Sequence, residues 1–300
     1  MPEEVTEDGT EKGRSDDLLP GVLTEYLGDD HGIFVRSQRE YERFRSPFQQ
    51  VEVHETSSFG KLFRLDGHFM TSEKDEFFYH ENLVHIAAMA HPAPESALII
   101  GGGDGGSAEE LFKHPTMKSV TLVEIDLAVV DIARKYFEEV HRGALSDPRL
   151  KVVVEDGQTF IRASTENYDL VVLDLTDPGG PSEPLYSAEF YRACSARLNH
   201  TGAMTLHIAS PVSQPERIRT VIANLRAAFP VVVPYLTSVP LYGGMWMMAS
   251  ASSTLNPSYL TSLEADRRVA TRRIRDLRYY NGDVHRSAFA LPNFVRALVS

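Results

Sequence analysis

A glycine-rich turn that contains a single acid is the segment of this chain best suited to chemistry. The apolar run Leu98-Ile99-Ile100 leads into residues 101–106, where Asp104 is the one charged residue. Glycines in such a strand–turn–helix segment let the backbone approach a nucleotide closely. Because a carboxylate repels phosphate, we expect a positively charged nucleoside, and an adenosine that carries a sulfonium and a free amine fits.

Further acids follow the next three predicted strands, together with one glycine: Glu124, Asp126, Asp156, Gly157 and Asp174. Since ligands of open parallel sheets bind beyond the carboxyl ends of the strands, these residues should share one binding edge. Glu124 lies 20 residues after Asp104, which suits an acid that binds a ribose diol. Asp126 is predicted to cap a helix, and Asp156 suits either an adenine amine or a helix cap.

Asp174 and Asp177 are the pair that we expect to act on the substrate. They lie three residues apart, just before Pro178, in a turn that could direct both carboxylates into one cleft. Two carboxylates would bind the ammonium groups of a polyamine, and one could accept the proton of an attacking nitrogen. A carboxylate is a weak base for an aliphatic amine, whose pKa is about 10.4. Orientation and a sulfonium leaving group must therefore supply much of the rate.

Alternating strands and helices must position these residues. Buried strands are predicted at 97–100, 120–123, 150–154, 170–173 and 203–208, with helical segments between them. This alternation predicts an α/β fold with a parallel sheet covered on both faces. After a helical stretch at 215–229, residues 231–233 and 245–250 predict an antiparallel terminal hairpin. A methyltransferase-like Rossmann domain ends in this way, and we assign residues 91–300 to it.

The residues before this domain have a different pattern. Short runs alternate apolar and polar residues, and Asp66-Gly67 between two such runs predicts a β-hairpin. We expect a small N-terminal antiparallel β domain with a linking helix at about 74–89, together spanning residues 18–90. Residues 1–17 carry seven acidic and two basic side chains and almost no large apolar residue, which predicts a disordered acidic tail.

Composition limits the classes of partner. The 300 residues carry a formal net charge of −12 at pH 7, which disfavours nucleic acid and suits a cationic substrate. Because no apolar stretch is long enough, we expect neither a membrane partner nor a secretory signal. Cys194 is the only cysteine, which excludes an internal disulfide and a cysteine-cluster metal site. A cytoplasmic location is the expectation.

Three other patterns are predicted to be structural. His80 and His85 resemble a zinc-binding helix, but they are five residues apart rather than four and would not share a helix face, so no metal is expected. Residues 245–248 are predicted as a core strand. A group of arginines is predicted to form a solvated helix face, with a neighbouring subunit as a possible partner: Arg267, Arg268, Arg272, Arg273, Arg275 and Arg278.

From about residue 48 to the C-terminus, the chain resembles polyamine aminopropyltransferases of the spermidine synthase family. The segments that carry the resemblance are 65–67, 75–81, 101–106, 123–126, 174–181 and 279–286. Plain methyltransferases lack the Asp-x-x-Asp-Pro segment and the Tyr-His-Glu helix. The resemblance implies transfer of an aminopropyl group from decarboxylated S-adenosylmethionine to a diamine or polyamine, with release of 5′-methylthioadenosine. Putrescine, which would give spermidine, is the expected acceptor.

The resemblance also implies roles by position. Asp174 matches the catalytic base. The donor contacts match Gln49, Asp104, Glu124, Asp156, Gly157 and Pro181. The amine-side contacts match Tyr79, His80, Asp177 and Tyr242. Since the donor has an amine and no carboxylate, Asp104 would favour it and repel intact S-adenosylmethionine. No cofactor is implied, and a homodimer or homotetramer is expected.

Departures from the family pattern leave the acceptor open. Met70 stands where many relatives carry glutamine, and His207 and Ala209 replace an amide and an acid. We therefore expect less negative charge at the far end of the acceptor pocket, unless another acid such as Glu183 or Glu52 fills the role. Cadaverine, agmatine and spermidine are alternative acceptors. A small-molecule methyltransferase that uses S-adenosylmethionine, and a family member that binds nucleoside without turnover, are the rival functions.

Overall fold

The computed structural model describes residues 21–28, 30–178 and 180–300, and for residues 180 and 181 it describes the backbone alone. The predicted acidic tail at 1–17 lies outside the described residues.

Two small antiparallel sheets form the N-terminal part. Strands β1 (Val22–Tyr26) and β2 (Gly32–Arg36) pair with each other, and a four-stranded sheet follows with the order β3-β4-β5-β6. Its strands are β3 (Arg39–Arg45), β4 (Gln50–Thr56), β5 (Gly60–Leu65) and β6 (His68–Ser72). Asp66 and Gly67, with φ values of 47° and 84°, form the β5–β6 turn. The predicted hairpin is therefore confirmed, because this tight turn needs residues that tolerate positive φ.

The remaining strands form a seven-stranded sheet with the order β12-β13-β11-β10-β7-β8-β9. They are β7 (Ser96–Gly101), β8 (Ser119–Glu124), β9 (Leu150–Val154), β10 (Tyr168–Asp174), β11 (Leu198–Ala209), β12 (Val231–Val239) and β13 (Gly244–Ser252). Strand β13 pairs antiparallel with both β11 and β12, whereas β7 to β11 are parallel. The Rossmann-like sheet with its terminal hairpin is confirmed.

Helices cover both faces of this sheet. They are α1 (Glu76–Ala90), α2 (Gly106–Phe112), α3 (Leu127–Tyr136), α4 (Glu138–His141), α5 (Gly157–Ala163), α6 (Ala188–Ser195), α7 (Pro215–Arg226), α8 (Ser262–Arg272), α9 (Gly282–Ala288) and α10 (Asn293–Val299). Residues of α1 and α2 share one apolar core with β7 and β8, and residues of α6, α7 and α10 share a second core with the opposite face. Side chains that alternate along each strand supply both cores.

Helix α1 packs on the parallel sheet, and two arginines stabilise its last turn. Arg268 donates to the carbonyl of Ala90 at 2.9 Å, and Arg272 donates to the carbonyls of Ala88 and His91. Carbonyls in the last helical turn lack intrahelical partners and favour a cation. The prediction that these two arginines form a solvated face is therefore wrong.

No helix among the described residues has the length and apolarity needed to cross a membrane.

Candidate active site

A cleft at the carboxyl ends of the parallel strands brings most of the predicted site residues together. It has a volume of about 960 Å³, including the part open to solvent. Its walls include these predicted residues: Gln49, Tyr79, His80, Asp104, Glu124, Asp156, Gly157, Asp174 and Tyr242. Asp177 lies in a smaller neighbouring cavity instead. The side chain of Pro181, in the short helix Gly180–Tyr186, lies outside the described part of the chain.

His80 lies between two carboxylates in this cleft. Its Nε2 atom is 3.4 Å from an Asp104 oxygen and 3.9 Å from an Asp174 oxygen. Its Nδ1 atom is 3.0 Å from the carboxylate of Glu76, one turn earlier in α1. Burial acts to lower the pKa of His80, but Asp104, Glu76 and Asp174 outweigh it and raise the pKa well above its usual value. Carboxylates at both ring nitrogens of His80 therefore favour its protonated form.

Asp104 and Asp174 respond differently to this environment, although burial acts to raise the pKa of both carboxyl groups. In Asp104, the nearby His80 and the N–H of Gly106, at 3.0 Å, outweigh burial and lower the pKa. In Asp174, burial and the charge of Asp104 raise the pKa. His80 and the Ser107 hydroxyl, which donates to Asp174 at 2.7 Å, act to lower the pKa but do not outweigh them. A stable anion therefore lies beside a more basic carboxylate, as acid–base chemistry requires.

Two glycines permit this close grouping. A Cβ atom on Gly106 would lie 2.3 Å from the Cε1 atom of His80, so a larger residue would displace the imidazole. Gly102 has a φ of +65°, and a Cβ atom there would lie 2.8 Å from an Asp174 oxygen. The glycine-rich turn therefore allows side chains from β10 and α1 to meet beside it.

Aromatic rings lie where the cleft adjoins the smaller cavity. The ring of Tyr79 packs edge-on against those of Tyr242 and His207, each at 5.8 Å between centroids, and Tyr242 lies 5.0 Å from Trp246. Burial, with the charge of Asp174, raises the pKa of Tyr79 well above its usual value, so its hydroxyl stays protonated. Such a wall can contact an alkyl chain and attract its ammonium groups.

Glu124 lies at the end of β8 with only 7% of its surface exposed. One carboxylate oxygen accepts from the N–H of Asp126 at 2.9 Å. Burial raises the pKa of Glu124 to about 7, although this hydrogen bond acts in the opposite direction. Once ionised, the carboxylate can accept hydrogen bonds from a diol in the cleft.

Gln49 reaches the cleft from the turn between β3 and β4. Its amide donates to Asp126 at 3.0 Å, and the Ser46 hydroxyl donates to the same carboxylate at 2.6 Å. The other Asp126 oxygen accepts from the N–H of Ala128 at the start of α3, which confirms the predicted helix cap. Asp126 therefore also joins the four-stranded sheet to the parallel sheet.

Asp156 is a helix cap as well as a wall residue of the cleft. Its carboxylate accepts from the N–H and the hydroxyl of Thr159, each at 2.8 Å, at the start of α5. Gly157 follows it, and a Cβ atom there would lie 2.4 Å from an Ile100 methyl group. The structural role of Asp156 is confirmed, and its contact with adenine stays a prediction.

The smaller cavity, of about 380 Å³, shares Met70, Leu175, Thr176 and Tyr242 with the cleft. Its acids are Glu25 on β1 and Asp177 after β10. Asp177 accepts a hydrogen bond from Arg217 of α7. Asp174 lines the cleft and Asp177 lines the adjoining cavity, so the expectation that both face one cleft is corrected: the two carboxylates line neighbouring cavities.

His207 lines this cavity as a neutral side chain. Its Nε2 atom is 2.8 Å from the Leu175 carbonyl, so it carries the proton, and Nδ1 accepts from the indole N–H of Trp246 at 3.3 Å. Burial lowers the pKa of His207 and outweighs the charge of Asp177. The core strand predicted at 245–248 is confirmed for residues 246–248, which are buried, whereas Met245 is exposed. Trp246 also lines the cavity.

Both acids of this cavity are paired with cations, so the predicted shortage of negative charge at the far end of the acceptor pocket stays a prediction. Glu25 supplies an acid from the N-terminal hairpin, whereas Glu52 is bonded to His54 and Arg64, and Glu183 is exposed. Ala209 is fully buried and does not line the cavity, because the β11–β13 register shifts between residues 207 and 209. A bulge of this kind changes the direction of the following side chain.

A cation could replace the proton on the Nε2 atom of His80 at the centre of the cleft. Ligand atoms of His80, Asp104 and Asp174 all lie within 4.8 Å of one another. His85 lies elsewhere, bonded to His114 and Glu110, so the two histidines do not share a face, as predicted. The expectation that no metal is needed stays a prediction.

Sequence reasoning missed several residues with defined contacts in the two cavities: Glu25, Glu76, Ser107, Arg217 and Trp246. The contact between Glu76 and His80 could have been predicted, because an acid four residues before a histidine on a helix lies close to it. The contacts of Glu25 and Arg217 could not have been predicted in this way, since their partners are distant in sequence.

The comparisons with known proteins agree with this geometry. Residues 76–260 match a family profile described as a spermine/spermidine synthase domain, and residues 42–73 match one described as a spermidine synthase tetramerisation domain. A polyamine aminopropyltransferase of Nitrosomonas europaea is 45% identical over 94% of this chain and 87% of its own length. One from Moorella thermoacetica is 40% identical over 91% of this chain and 94% of its own length.

Solved structures are also similar. A spermidine synthase in complex with the transition-state analogue AdoDATO has a TM-score of 0.87 and 34% sequence identity, covering 93% of this chain and 94% of that one. The spermidine synthase of Thermotoga maritima has a TM-score of 0.85, with the same identity and coverage.

The chain therefore belongs to the spermine/spermidine synthase family. Within that family it is an enzyme of the aminopropyltransferase class.

Proposed function

We propose that this enzyme transfers the aminopropyl group of decarboxylated S-adenosylmethionine to putrescine, giving spermidine and 5′-methylthioadenosine. The observation that carries the proposal is the pairing of Asp104 and Asp174 around His80, in a large cleft that adjoins a smaller cavity. The similar synthase that binds AdoDATO supports the same reaction.

The donor is assigned to the large cleft. Glu124 would accept from the ribose hydroxyls, Asp156 and Gly157 would face the adenine, and Gln49 and Pro181 would contact the rest of the nucleoside. Asp104 would hold the donor's ammonium group, because His80 and the N–H of Gly106 keep its carboxylate ionised in spite of burial. A donor that retained its carboxylate would place a second negative charge beside Asp104, and repulsion would disfavour it.

The reaction is a single displacement at the aminopropyl carbon next to sulfur. The neutral acceptor nitrogen forms a bond to this carbon as the carbon–sulfur bond breaks, and the electron pair leaves with the sulfur of methylthioadenosine. Asp174 accepts the proton from the new ammonium, because its raised pKa and buried position favour the protonated carboxyl. Tyr79 would orient the attacking nitrogen, and His80 would fix both carboxylates.

The acceptor is assigned to the smaller cavity. Tyr242 and Trp246 would pack along its methylene chain, and Asp177 and Glu25 would face its far ammonium group. Cadaverine, agmatine and spermidine are the alternative acceptors for the same cavity. Transfer of a methyl group from S-adenosylmethionine is the alternative reaction, and the charge of Asp104 disfavours it. No cofactor is required by this scheme.

The test is to incubate the purified enzyme with the decarboxylated donor and each amine in turn, and to measure methylthioadenosine by chromatography. We expect methylthioadenosine and spermidine with putrescine. Methylation products from S-adenosylmethionine, or no methylthioadenosine with any amine, would contradict the proposal.

We also propose a homo-oligomer, either a dimer or a tetramer. Support comes from the match of residues 42–73 to a tetramerisation domain. Sedimentation equilibrium would distinguish a mass of two chains from a mass of four, and a monomer at micromolar concentration would contradict the proposal.

A further inference from the structure

A surface histidine is bonded to the outer acid of the smaller cavity. His68 Nδ1 lies 3.1 Å from one Glu25 oxygen, and the other oxygen accepts from the N–H of Phe69 at 2.6 Å. Both side chains line the cavity. The Glu25 side chain is 14% exposed and that of His68 is 55% exposed, so the acid is held inside while its cationic partner faces water.

We propose that His68 competes with the far ammonium group of the acceptor for Glu25, and so determines how strongly the enzyme prefers dicationic amines. This inference rests on the proposed function, because it assigns the acceptor to the smaller cavity. An imidazolium and an alkylammonium seek the same carboxylate, and each neutralises the charge that would attract the other.

The two acids of the cavity differ in how their cationic partners respond to pH. Asp177 is paired with Arg217, whose guanidinium remains charged at every pH of interest. Glu25 is paired with His68, which can lose its proton near neutrality. A rise in pH can therefore remove the cationic partner of Glu25, whereas the cationic partner of Asp177 stays charged.

The other groups near His68 act in known directions. The hydrogen bond that His68 donates to Glu25 raises the pKa of His68, burial opposes this increase, and the charges of Asp177 and Asp66 add to it. Arg64 lies next to the same turn and donates to the carbonyls of Gly67 and Thr24, so its position does not depend on pH. A primary ammonium has a pKa of about 10.4, so the acceptor's charge is nearly constant between pH 6 and 8.5.

The test compares putrescine with butylamine, which has the same carbon chain and no far ammonium group. The quantity measured is the ratio of kcat/KM for the two amines, in the wild type and in His68→Gln, at pH 6 and at pH 8.5. His200→Gln serves as the matched control, because His200 is exposed and lines neither cavity.

We expect the ratio to rise about three-fold from pH 6 to 8.5 in the wild type and in His200→Gln. In His68→Gln it should be high at both values, because glutamine can bond Glu25 without a charge. The effect is modest since water screens a half-exposed pair. A wild-type ratio that is flat with pH and equal to that of His68→Gln would overturn the inference.

A second measurement separates this inference from the proposed function. The pKa of His68 is followed by NMR of the imidazole nitrogens, with and without putrescine or butylamine. Because coupling between two sites is reciprocal, bound putrescine should lower the pKa of His68 and butylamine should not. If aminopropyl transfer occurs and putrescine leaves this pKa unchanged, the inference fails alone. If no amine is turned over, the proposed function fails, whatever the titration shows.

Discussion

The large cleft and the smaller cavity hold their carboxylates in different ways. In the cleft, Asp104, Glu124 and Asp174 follow strands of one sheet, and burial shifts the pKa of Glu124 to about 7. In the smaller cavity, Glu25 and Asp177 come from distant segments and pair with cations that reach in from the surface.

The difference implies that the buried carboxylates of the cleft serve the reaction, whereas the paired carboxylates of the smaller cavity serve recognition of the acceptor. Buried charges interact strongly because little water screens them, whereas half-exposed pairs interact weakly. Substitutions in the cleft should therefore change rate and donor binding greatly, and substitutions around the smaller cavity should change selectivity by small factors.

The largest effect is expected for Asp174→Asn, which keeps the shape of the side chain and removes its charge and basicity. We expect kcat to fall by about 10²–10⁴, the range for positioned acid–base groups. Donor affinity, measured by calorimetry, should change little. A variant that retains most of its activity would show that another group accepts the proton.

A smaller effect is expected for Asp104→Asn, and it appears in donor selectivity. The wild type should bind the decarboxylated donor more tightly than S-adenosylmethionine. In the variant, the ratio of the two dissociation constants should be smaller by about ten- to a hundred-fold. This factor corresponds to the free energy of one charge-assisted hydrogen bond. Calorimetry with both nucleosides measures this ratio, and equal affinities in the wild type would remove the charge argument.

Glu76→Gln tests whether the helix itself keeps His80 protonated. Loss of a buried carboxylate 3.0 Å from Nδ1 should lower the pKa of His80, because a neutral amide stabilises the imidazolium less than a carboxylate does. NMR titration of the imidazole nitrogens gives the shift directly. Glu95→Gln is the control, since Glu95 pairs with Lys118 at the surface, and a similar shift there would contradict the assignment.

The smallest of these effects is a pH dependence of donor binding through Glu124. Its carboxyl group, with a pKa of about 7, is largely protonated at pH 6 and largely ionised at pH 8. Because only the ionised form accepts from both hydroxyls of a diol, affinity should rise by up to about ten-fold over this interval. Calorimetry on the wild type and on Glu124→Gln checks it, and parallel pH profiles would exclude Glu124 as the titrating group.

The sheet and the residues at its edge were predictable because their pattern is local. Each buried run predicted a strand, and the acid after it had to lie at the carboxyl end. Asp104, Glu124 and Asp174 follow this rule, and all three line the cleft. The Asp66-Gly67 hairpin was predictable for a similar reason, since two residues determine the turn.

Residues that meet from distant segments were not predictable in the same way. Arg217 reaches Asp177 across 40 positions, and Arg272 reaches the end of α1 across more than 180. An arginine on an exposed helix has the same local pattern whether it faces water or a carbonyl. The bulge after His207 likewise removed Ala209 from the cavity, and no residue type in that strand indicated it.

By itself, then, the amino-acid sequence determined the α/β fold, the family resemblance and the acids at the strand ends, because hydrophobic period and motif spacing act over short stretches of chain. Tertiary structure alone decided that His80 lies between Asp104 and Asp174, that Asp177 belongs to a second cavity, and that Glu25 meets His68. These contacts depend on how sheets and helices pack, and packing brings together charges whose separation in sequence carries no signal.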